Sequence, residues 1–283
     1  MEKVILQDLL ATEALQVCEP GQPFWYTSGL FGPYYINTHF LYGDKEAAAD
    51  LLQAIEQAAR EPLSLPEKID AMTFERYQKD PVYARVIATA AKRVESFSFD
   101  FISGGERRDF FFSFPVARLL QKDHLTILKD GTAIYTKFSG ESLPADRVHL
   151  TGKKAFHIAD LATEASSYMR AWLPAVRSLG AVMTDTLAIV DRHQEAKAVL
   201  AKEQVALHSL ICFSKEVLAK AQADGLLSPE QVQMIADYTA DPIRFVKDFL
   251  AAHPNFLTKE IKKGGKTAER AHRLEISDYL VTE

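Results

Sequence analysis

The sequence predicts an α/β fold built on a doubly wound parallel sheet, and three stretches carry that expectation. In Lys154 to Arg170 an apolar run, Ala155 to Ile158, meets Asp160, passes through Thr163, Ala165, Ser166 and Ser167, and resumes at helical spacing in Met169, Trp172, Leu173 and Val176. Phe97 to Ile102 is a second apolar run, ending in Ser103-Gly104-Gly105-Glu106-Arg107-Arg108-Asp109 before the helix of Val116 to Leu120. The third, Thr186 to Val190, ends in Asp191-Arg192-His193; a helix around Ala196 to Ala201 and a strand from Ala206 to Phe213 complete the sheet. Each unit reads strand, loop, helix, and right-handed crossovers bring the three loops to one carboxyl edge.

The elements before the sheet follow in order. Val4, Ile5, Leu9, Leu10 and Leu15 give an amphipathic helix over residues 3 to 17, stopped by Glu19-Pro20-Gly21. Phe24 to Tyr42 is dense in aromatics, with turn residues at Ser28-Gly29 and Gly32-Pro33, and reads as strand, tight loop, strand. Ala47, Leu51, Leu52 and Ile55 mark a helix over 44 to 60, ended by Pro62 and Pro66. Residues 67 to 96 read as further helices, with Asp80 an N-cap and Pro81 the first helical residue. Leu125 to Leu128 and Ala133 to Phe138 flank Asp130-Gly131, a hairpin signal. From Ser214 onward the pattern is helical: Ser228-Pro229-Glu230-Gln231 is a capping box and Asp241-Pro242 opens another helix. These helices are expected to pack on the core or on a partner subunit.

Composition narrows the function. The chain has 283 residues, 47% hydrophobic and 25% charged, enough for one large domain with helical additions. A net charge of -5 argues against a general nucleic-acid binder and makes any phosphate site local. Cys18 and Cys212 lack metal-like spacing and suit small buried hydrophobes in a reducing cytosol. No stretch approaches the roughly 18 apolar residues of a membrane span, and residues 1 to 17 lack a signal-peptide pattern, so a cytoplasmic location is expected. No two histidines hold the i, i+4 spacing of a zinc helix, and no metal site is expected; His157 reads as a hydrogen-bonded core histidine. Gly265-Lys266-Thr267 is not a triphosphate loop, since Glu260 stands where its first glycine belongs and no strand precedes it.

The loops suggest their chemistry. A strand that delivers Asp160 beside a short loop of hydroxyls and backbone N–H groups suits a phosphate, with the carboxylate facing sugar hydroxyls or a hydrated magnesium ion. Glycines at 104 and 105 let backbone approach an anion, and Arg107 and Arg108 suit diphosphate oxygens or a surface pairing with Asp109. Arg192 is a fork donor suited to a carboxylate or paired carbonyls, or a surface partner of Asp191.

Residues 154 to 170 are similar to the phosphoribosyl-diphosphate (PRPP) motif of the type I phosphoribosyltransferases: four apolar residues, two acids, two apolar residues, then a Thr- and Gly-rich loop. Ala159 takes the place of the first acid, and Ala165 that of a loop Gly, with the bulkier Glu164 ahead of it. Near the amino end the chain resembles the hood of the orotate phosphoribosyltransferases in Ser28-Gly29, Pro33-Tyr34-Tyr35 and Asn37, with Thr27 in place of a Lys and Gly32 in place of a Ser. Val190-Asp191-Arg192 matches that family's Val-Asp-Arg. Lys129 matches one member of its Arg-Lys pair, and Lys137 with Ser139 to Ser142 stands where its mobile loop bears a Lys and a His.

The resemblance implies a type I phosphoribosyltransferase-like core over 97–213, an N-terminal helix and hood over 1–60, a helical insertion over 61–96 and a helical extension over 214–283. It implies transfer of ribose 5-phosphate from PRPP to a planar, pyrimidine-like base such as orotate, with release of diphosphate. Asp160 and Lys129 would be catalytic. PRPP would be held by Asp160, Thr163, Glu164, Ala165, Ser166, Ser167, Gly104, Gly105, Arg107 and Arg108, and the base by Ser28, Gly29, Tyr34, Tyr35 and Arg192. Magnesium would arrive with PRPP, and the protein would be a homodimer. Ala159 and the altered hairpin favour an alternative, a PRPP- or nucleotide-binding sensor without turnover. On this alignment Ala159→Asp is expected to tighten ribose binding.

Overall fold

The computed structural model describes residues 2–26, 28–193 and 195–277. Thr27, one of the hood departures, lies outside them. In chain order α1 (Glu2–Ala11) precedes four short strands, β1 (Leu15–Val17), β2 (Phe24–Trp25), β3 (Phe31–Gly32) and β4 (Tyr34–Ile36). A 3-10 helix over Thr38–Tyr42 leads to α2 (Lys45–Ala58), α3 (Leu65–Lys79) and α4 (Pro81–Val94). Then come β5 (Phe101–Gly105), α5 (Phe110–Leu119), β6 (Asp123–Ile127), β7 (Ala133–Thr136), β8 (Ser142–Pro144) and β9 (Lys154–Ala162). After β9 follow α6 (Leu173–Ser178), β10 (Val182–Asp191), α7 (Ala196–Lys202) and β11 (Ala206–Cys212). Among the described residues five helices follow: α8 (Lys215–Ala223), α9 (Pro229–Ala240), α10 (Pro242–Ala252), α11 (Phe256–Lys262) and α12 (Gly265–Glu275).

The chain divides into two units, Met1–Ala14 with Asn37–Ser214, and Leu15–Ile36 with Lys215–Glu283. The first is an α/β unit around a seven-stranded sheet of order β11-β10-β9-β5-β6-β7-β8, parallel from β11 to β6 and closed by the antiparallel β7 and β8. From β5 the chain moves to β6 on one side, whereas β9 lies on β5's other side and leads outward to β10 and β11. The strand order therefore reverses between β5 and β9, where a doubly wound sheet opens its crevice. The expected hairpin forms as β6–β7. Asp44 and Asp80 open α2 and α4 by accepting from the Ala47 and Tyr83 amides at 2.7 and 2.8 Å. Pro81 is the first residue of α4, and α3 and α4 pack with α5.

Three expectations shift in detail. The first helix ends at Ala11, because Leu15–Val17 pairs antiparallel with Tyr34–Ile36 instead of continuing the helix. The second apolar run becomes a strand only at Phe101, and that strand runs on through Gly104 and Gly105. The carboxyl-terminal helices fold around the aromatic hood segment. Trp25 and Phe31 form a core with Val246, Ala271 and Leu274; Trp25 stacks on Phe256 at 5.9 Å between ring centroids and donates its indole N–H to buried Glu260 at 3.0 Å. Arg270 donates to the Trp25 carbonyl at 2.9 Å.

Candidate functional site

A cleft of about 380 Å³ lies at the carboxyl edge of the sheet, lined by Glu106 to Asp109 after β5 and by Asp160, Leu161, Thr163 to Tyr168 and Trp172 at the end of β9 and beyond. Asp160, Thr163 to Ser167, Arg107 and Arg108, named from sequence alone, thus meet in one concavity. The two strands pair in register from Phe101 opposite Ala155 to Ser103 opposite His157 and then part. A carboxylate fills the gap: Asp109 accepts the Gly105 amide on Oδ2 and the Asp160 amide on Oδ1, both at 2.9 Å. The surface pairing considered for Asp109 is not what forms, since the residue is only 2% exposed.

Asp160 lies two residues before the end of β9, which continues to Ala162, and its Oδ2 accepts the Thr38 hydroxyl at 2.7 Å. Burial raises its carboxyl to about 6, the Asp109 charge adds to the rise, and Arg108 opposes it. Burial alone raises Asp109 further, to about 7, against the two amides it accepts. Behind Asp109 stands His157, fully buried, with Nδ1 3.0 Å from the Ser103 hydroxyl. Its Nε2 lies 3.4 Å from Asp109 Oδ2 without a hydrogen bond, so the core histidine read from sequence is satisfied on one side only. Desolvation holds this imidazole neutral, down to about 3.

The loop after β9 is small and polar. Thr163 is half-buried, Glu164 and Ser166 are exposed, and Ala165 is buried in a left-handed conformation, φ 58°. That is the backbone a glycine adopts without steric cost and an alanine adopts with some. Helical structure opens at Ser166 and passes through a π-helical turn, Tyr168–Trp172, into α6. The first amides of a helix have no intrahelical partner, and the residues that carry them here line the cleft.

The loop after β5 is charged. Arg107 is exposed and paired with Glu56; Arg108 is half-buried; Glu106 lines the cleft while its Oε2 accepts the Lys129 backbone amide at 2.8 Å. Gly104 and Gly105 lie in the strand and not along the cleft. A Cβ on Gly104 would collide with Ser113, and one on Gly105 with the Trp172 indole, so these glycines admit neighbouring side chains where the sequence reading had them admit an anion.

Other residues named from sequence fall elsewhere. Lys129 is exposed in the β6–β7 turn, outside the lining of the cleft. Lys137 pairs with Glu141 at 2.5 Å in the tight β7–β8 turn. Arg192 leaves β10 on the edge where the cleft opens: Asp191 is in register with Ala162, and the Arg192 amide donates to the Ala162 carbonyl at 3.0 Å. Asp191 is buried and accepts the His193 amide at 2.8 Å, so it shapes the turn after β10. Cys212 is half-buried, with Sγ 3.3 Å from His193 Nδ1, and is not the enclosed hydrophobe expected.

The hood residues belong to the second unit. Tyr34 is buried against Tyr238, ring centroids 5.8 Å apart, which commits its ring to packing. Tyr35 donates its hydroxyl to the Trp25 carbonyl at 2.9 Å, Ser28 Oγ accepts the Leu30 amide at 3.3 Å, and Gly29 has φ 94°. Ala159 is fully buried in the apolar cluster that holds Tyr168 and Trp172 and does not line the cleft. The sequence reading missed Asp109, Thr38 and Trp172. The available signal for Asp109 was its place directly ahead of the apolar run Phe110-Phe111-Phe112, which buries whatever precedes it.

Among the described residues no group of three or more His, Cys, Asp or Glu is placed to hold a metal, and no helix is long and apolar enough to cross a membrane.

No family model matches the chain. Over 201 residues it is 28% identical to an orotate phosphoribosyltransferase of Dinoroseobacter shibae, covering 68% of this chain and 86% of that one. Over 140 residues it is 27% identical to an orotate phosphoribosyltransferase of Cenarchaeum symbiosum, covering 48% and 69%. Among solved structures it is similar to the UMP synthase of Leishmania donovani, with a TM-score of 0.59 and 14% identity over 85% of this chain; it spans 42% of that longer protein. It is also similar to the orotate phosphoribosyltransferase of Francisella tularensis, with a TM-score of 0.53 and 11% identity over 82% of this chain and 96% of the other. In sequence the chain is similar to orotate phosphoribosyltransferases, and its fold is similar to that of the type I phosphoribosyltransferases.

Proposed function

We propose that this chain transfers ribose 5-phosphate from PRPP to a pyrimidine-like base, orotate being the first candidate. The observation that carries the reading is the cleft itself: hydroxyls and helix-opening amides on one loop, arginines on the other, and a buried carboxylate between them. The 5-phosphate suits the loop from Thr163 to Ser167. Asp160 accepts a hydrogen bond from a ribose hydroxyl, held in place by Thr38. Arg108, with Arg107 at the rim, faces the diphosphate. The reaction breaks the C1–oxygen bond to diphosphate and makes a C1–nitrogen bond, the ring nitrogen's proton passing to solvent. Positive charge develops on the sugar ring as the first bond breaks, and the buried Asp160 carboxylate beside the ring favours that charge. Magnesium, carried in with the diphosphate rather than by a dedicated protein site, neutralises it when bound. Arg192, on the same edge of the sheet, is the proposed base contact. A cytoplasmic homodimer belongs to the same proposal.

A second reading is supported by Ala159, buried without a carboxyl, and by Lys129, which is outside the cleft. On that reading the protein binds PRPP and does not turn it over. One experiment separates the two: purified protein with magnesium, PRPP and orotate, uracil or other bases, followed by diphosphate release. Release with a base supports transfer. PRPP binding by calorimetry with no release for any base supports the sensor, and absence of PRPP binding removes both.

A further inference from the structure

The cleft is electrostatically divided. Arg107, Arg108 and the helix-opening amides make part of its lining a site for anions, and buried carboxyls make another part a site for hydrogen-bond donors. Asp160 has been given such a role above; Asp109 has none. Yet Asp109 lines the same cleft, beside Asp160, from a different element of the fold.

We infer that Asp109 is a second ligand-binding carboxyl of this cleft and accepts a hydrogen bond from a sugar hydroxyl next to the one bound by Asp160; the inference rests on the proposed PRPP reading. Geometry supports it in three ways. Each Asp109 oxygen accepts a single amide at 2.9 Å, and a carboxylate oxygen has two lone pairs, so both retain acceptor capacity. Those two amides come from β5 and β9 as the strands part, which fixes the carboxyl in the crevice instead of leaving it to rotate. The usual N-cap use of an aspartate is forgone: Asp109 precedes α5 but makes no side-chain cap to that helix. An aspartate diverted from its helix to the lining of a polar cleft is placed for a ligand.

The partner is a hydroxyl donor rather than a dedicated cation, because the described residues offer no third carboxylate or imidazole to complete a metal site. The charge state points the same way. Asp109 is faced by Asp160 and His157 on β9, by Arg108 beside it and by Tyr168 on the turn after the loop, and burial dominates them all in raising its carboxyl to about 7. A donor hydroxyl stabilises the ionised form, so binding draws a proton off and affinity rises with pH across that range.

The test compares PRPP, which carries sugar hydroxyls, with inorganic pyrophosphate, which has none. Calorimetry on Asp109→Asn is expected to show PRPP affinity reduced about 10- to 100-fold, the range for a lost charge-assisted hydrogen bond, with pyrophosphate affinity within about twofold of wild type. Retained pyrophosphate binding also shows that the variant is folded. If the variant does not fold, infrared difference spectra of the wild type serve: PRPP is expected to remove a protonated-carboxyl band that pyrophosphate leaves intact. Equal loss of both ligands in a folded variant, no loss of either, or an unchanged carboxyl band with bound PRPP overturns the role of Asp109 alone. Failure of wild-type protein to bind PRPP at all overturns the PRPP reading and this inference with it.

Discussion

The two loops that build the cleft work by opposite means. The loop after β5 presents charged side chains, and three of them are tied down: Arg107 to Glu56, Glu106 to the Lys129 amide, Asp109 to the Gly105 and Asp160 amides. The loop after β9 presents small residues and the opening of a helix, with Ala165 in a left-handed conformation at its centre. One loop offers charges fixed by an ion pair and by backbone amides; the other offers backbone donors fixed by chain geometry. A substitution should therefore act on charge and affinity in the first loop and on backbone conformation in the second, while the strands behind them tolerate neither new charge nor new volume.

The strand behind the second loop should give the largest effect. Ala159→Asp places a carboxyl among Tyr168, Trp172 and their apolar neighbours. It is expected to cost about 3 kcal/mol in urea unfolding, as buried unpaired charges do, and not to tighten ribose binding as the alignment suggested. Unchanged stability with tighter PRPP binding would show that position 159 reaches the cleft after all.

Acid should act next, through the buried histidines. Burial lowers His39, His124 and His157 to about 3, well below the ordinary value for the unfolded chain. A depressed folded value means that their contribution is present above about pH 6.5 and is lost as pH falls toward 3; the raised Asp109 and Asp160 act in the opposite sense, losing stability as pH rises from about 4 toward neutrality. His124→Gln should reduce the slope of unfolding free energy against pH by about 1.4 kcal/mol per pH unit between about pH 4.5 and 5.5. An unaltered slope would mean that His124 is charged in the folded protein.

Within the first loop, Arg108→Ala is expected to lower pyrophosphate affinity about tenfold in calorimetry, and Arg107→Ala, an exposed residue already paired with Glu56, to lower it less. The reverse ranking would exchange their roles. The smallest effect belongs to the second loop: Ala165→Gly relieves the left-handed backbone and should raise stability by about 1 kcal/mol in thermal unfolding without loss of pyrophosphate binding.

Much of this was legible in the sequence where local chemistry decides structure. Apolar runs ended by polar loops located β5, β9 and β10, Asp80-Pro81 located the start of α4, and Asp130-Gly131 located the β6–β7 hairpin. The phosphate-loop pattern brought Asp160, Arg107, Arg108 and residues 163 to 167 to one place. What was not legible depended on contacts distant in sequence. Gly104 and Gly105 serve Ser113 and Trp172, the latter 67 positions beyond Gly105 by sequence number. Asp109 was read beside its neighbouring arginines because its partners, the Gly105 and Asp160 amides, meet only when β5 and β9 part. Nothing local announced that the hood would share a core with helices more than 200 residues further along the chain.

The central claim, that the crevice between β5 and β9 is a PRPP site, is tested most directly by calorimetric titration of wild-type and Asp160→Asn protein with magnesium and PRPP. The structure predicts saturable binding of one PRPP per chain, weakened about 100-fold by the substitution. No heat of binding in the wild type, or equal affinity in the two proteins, would contradict it.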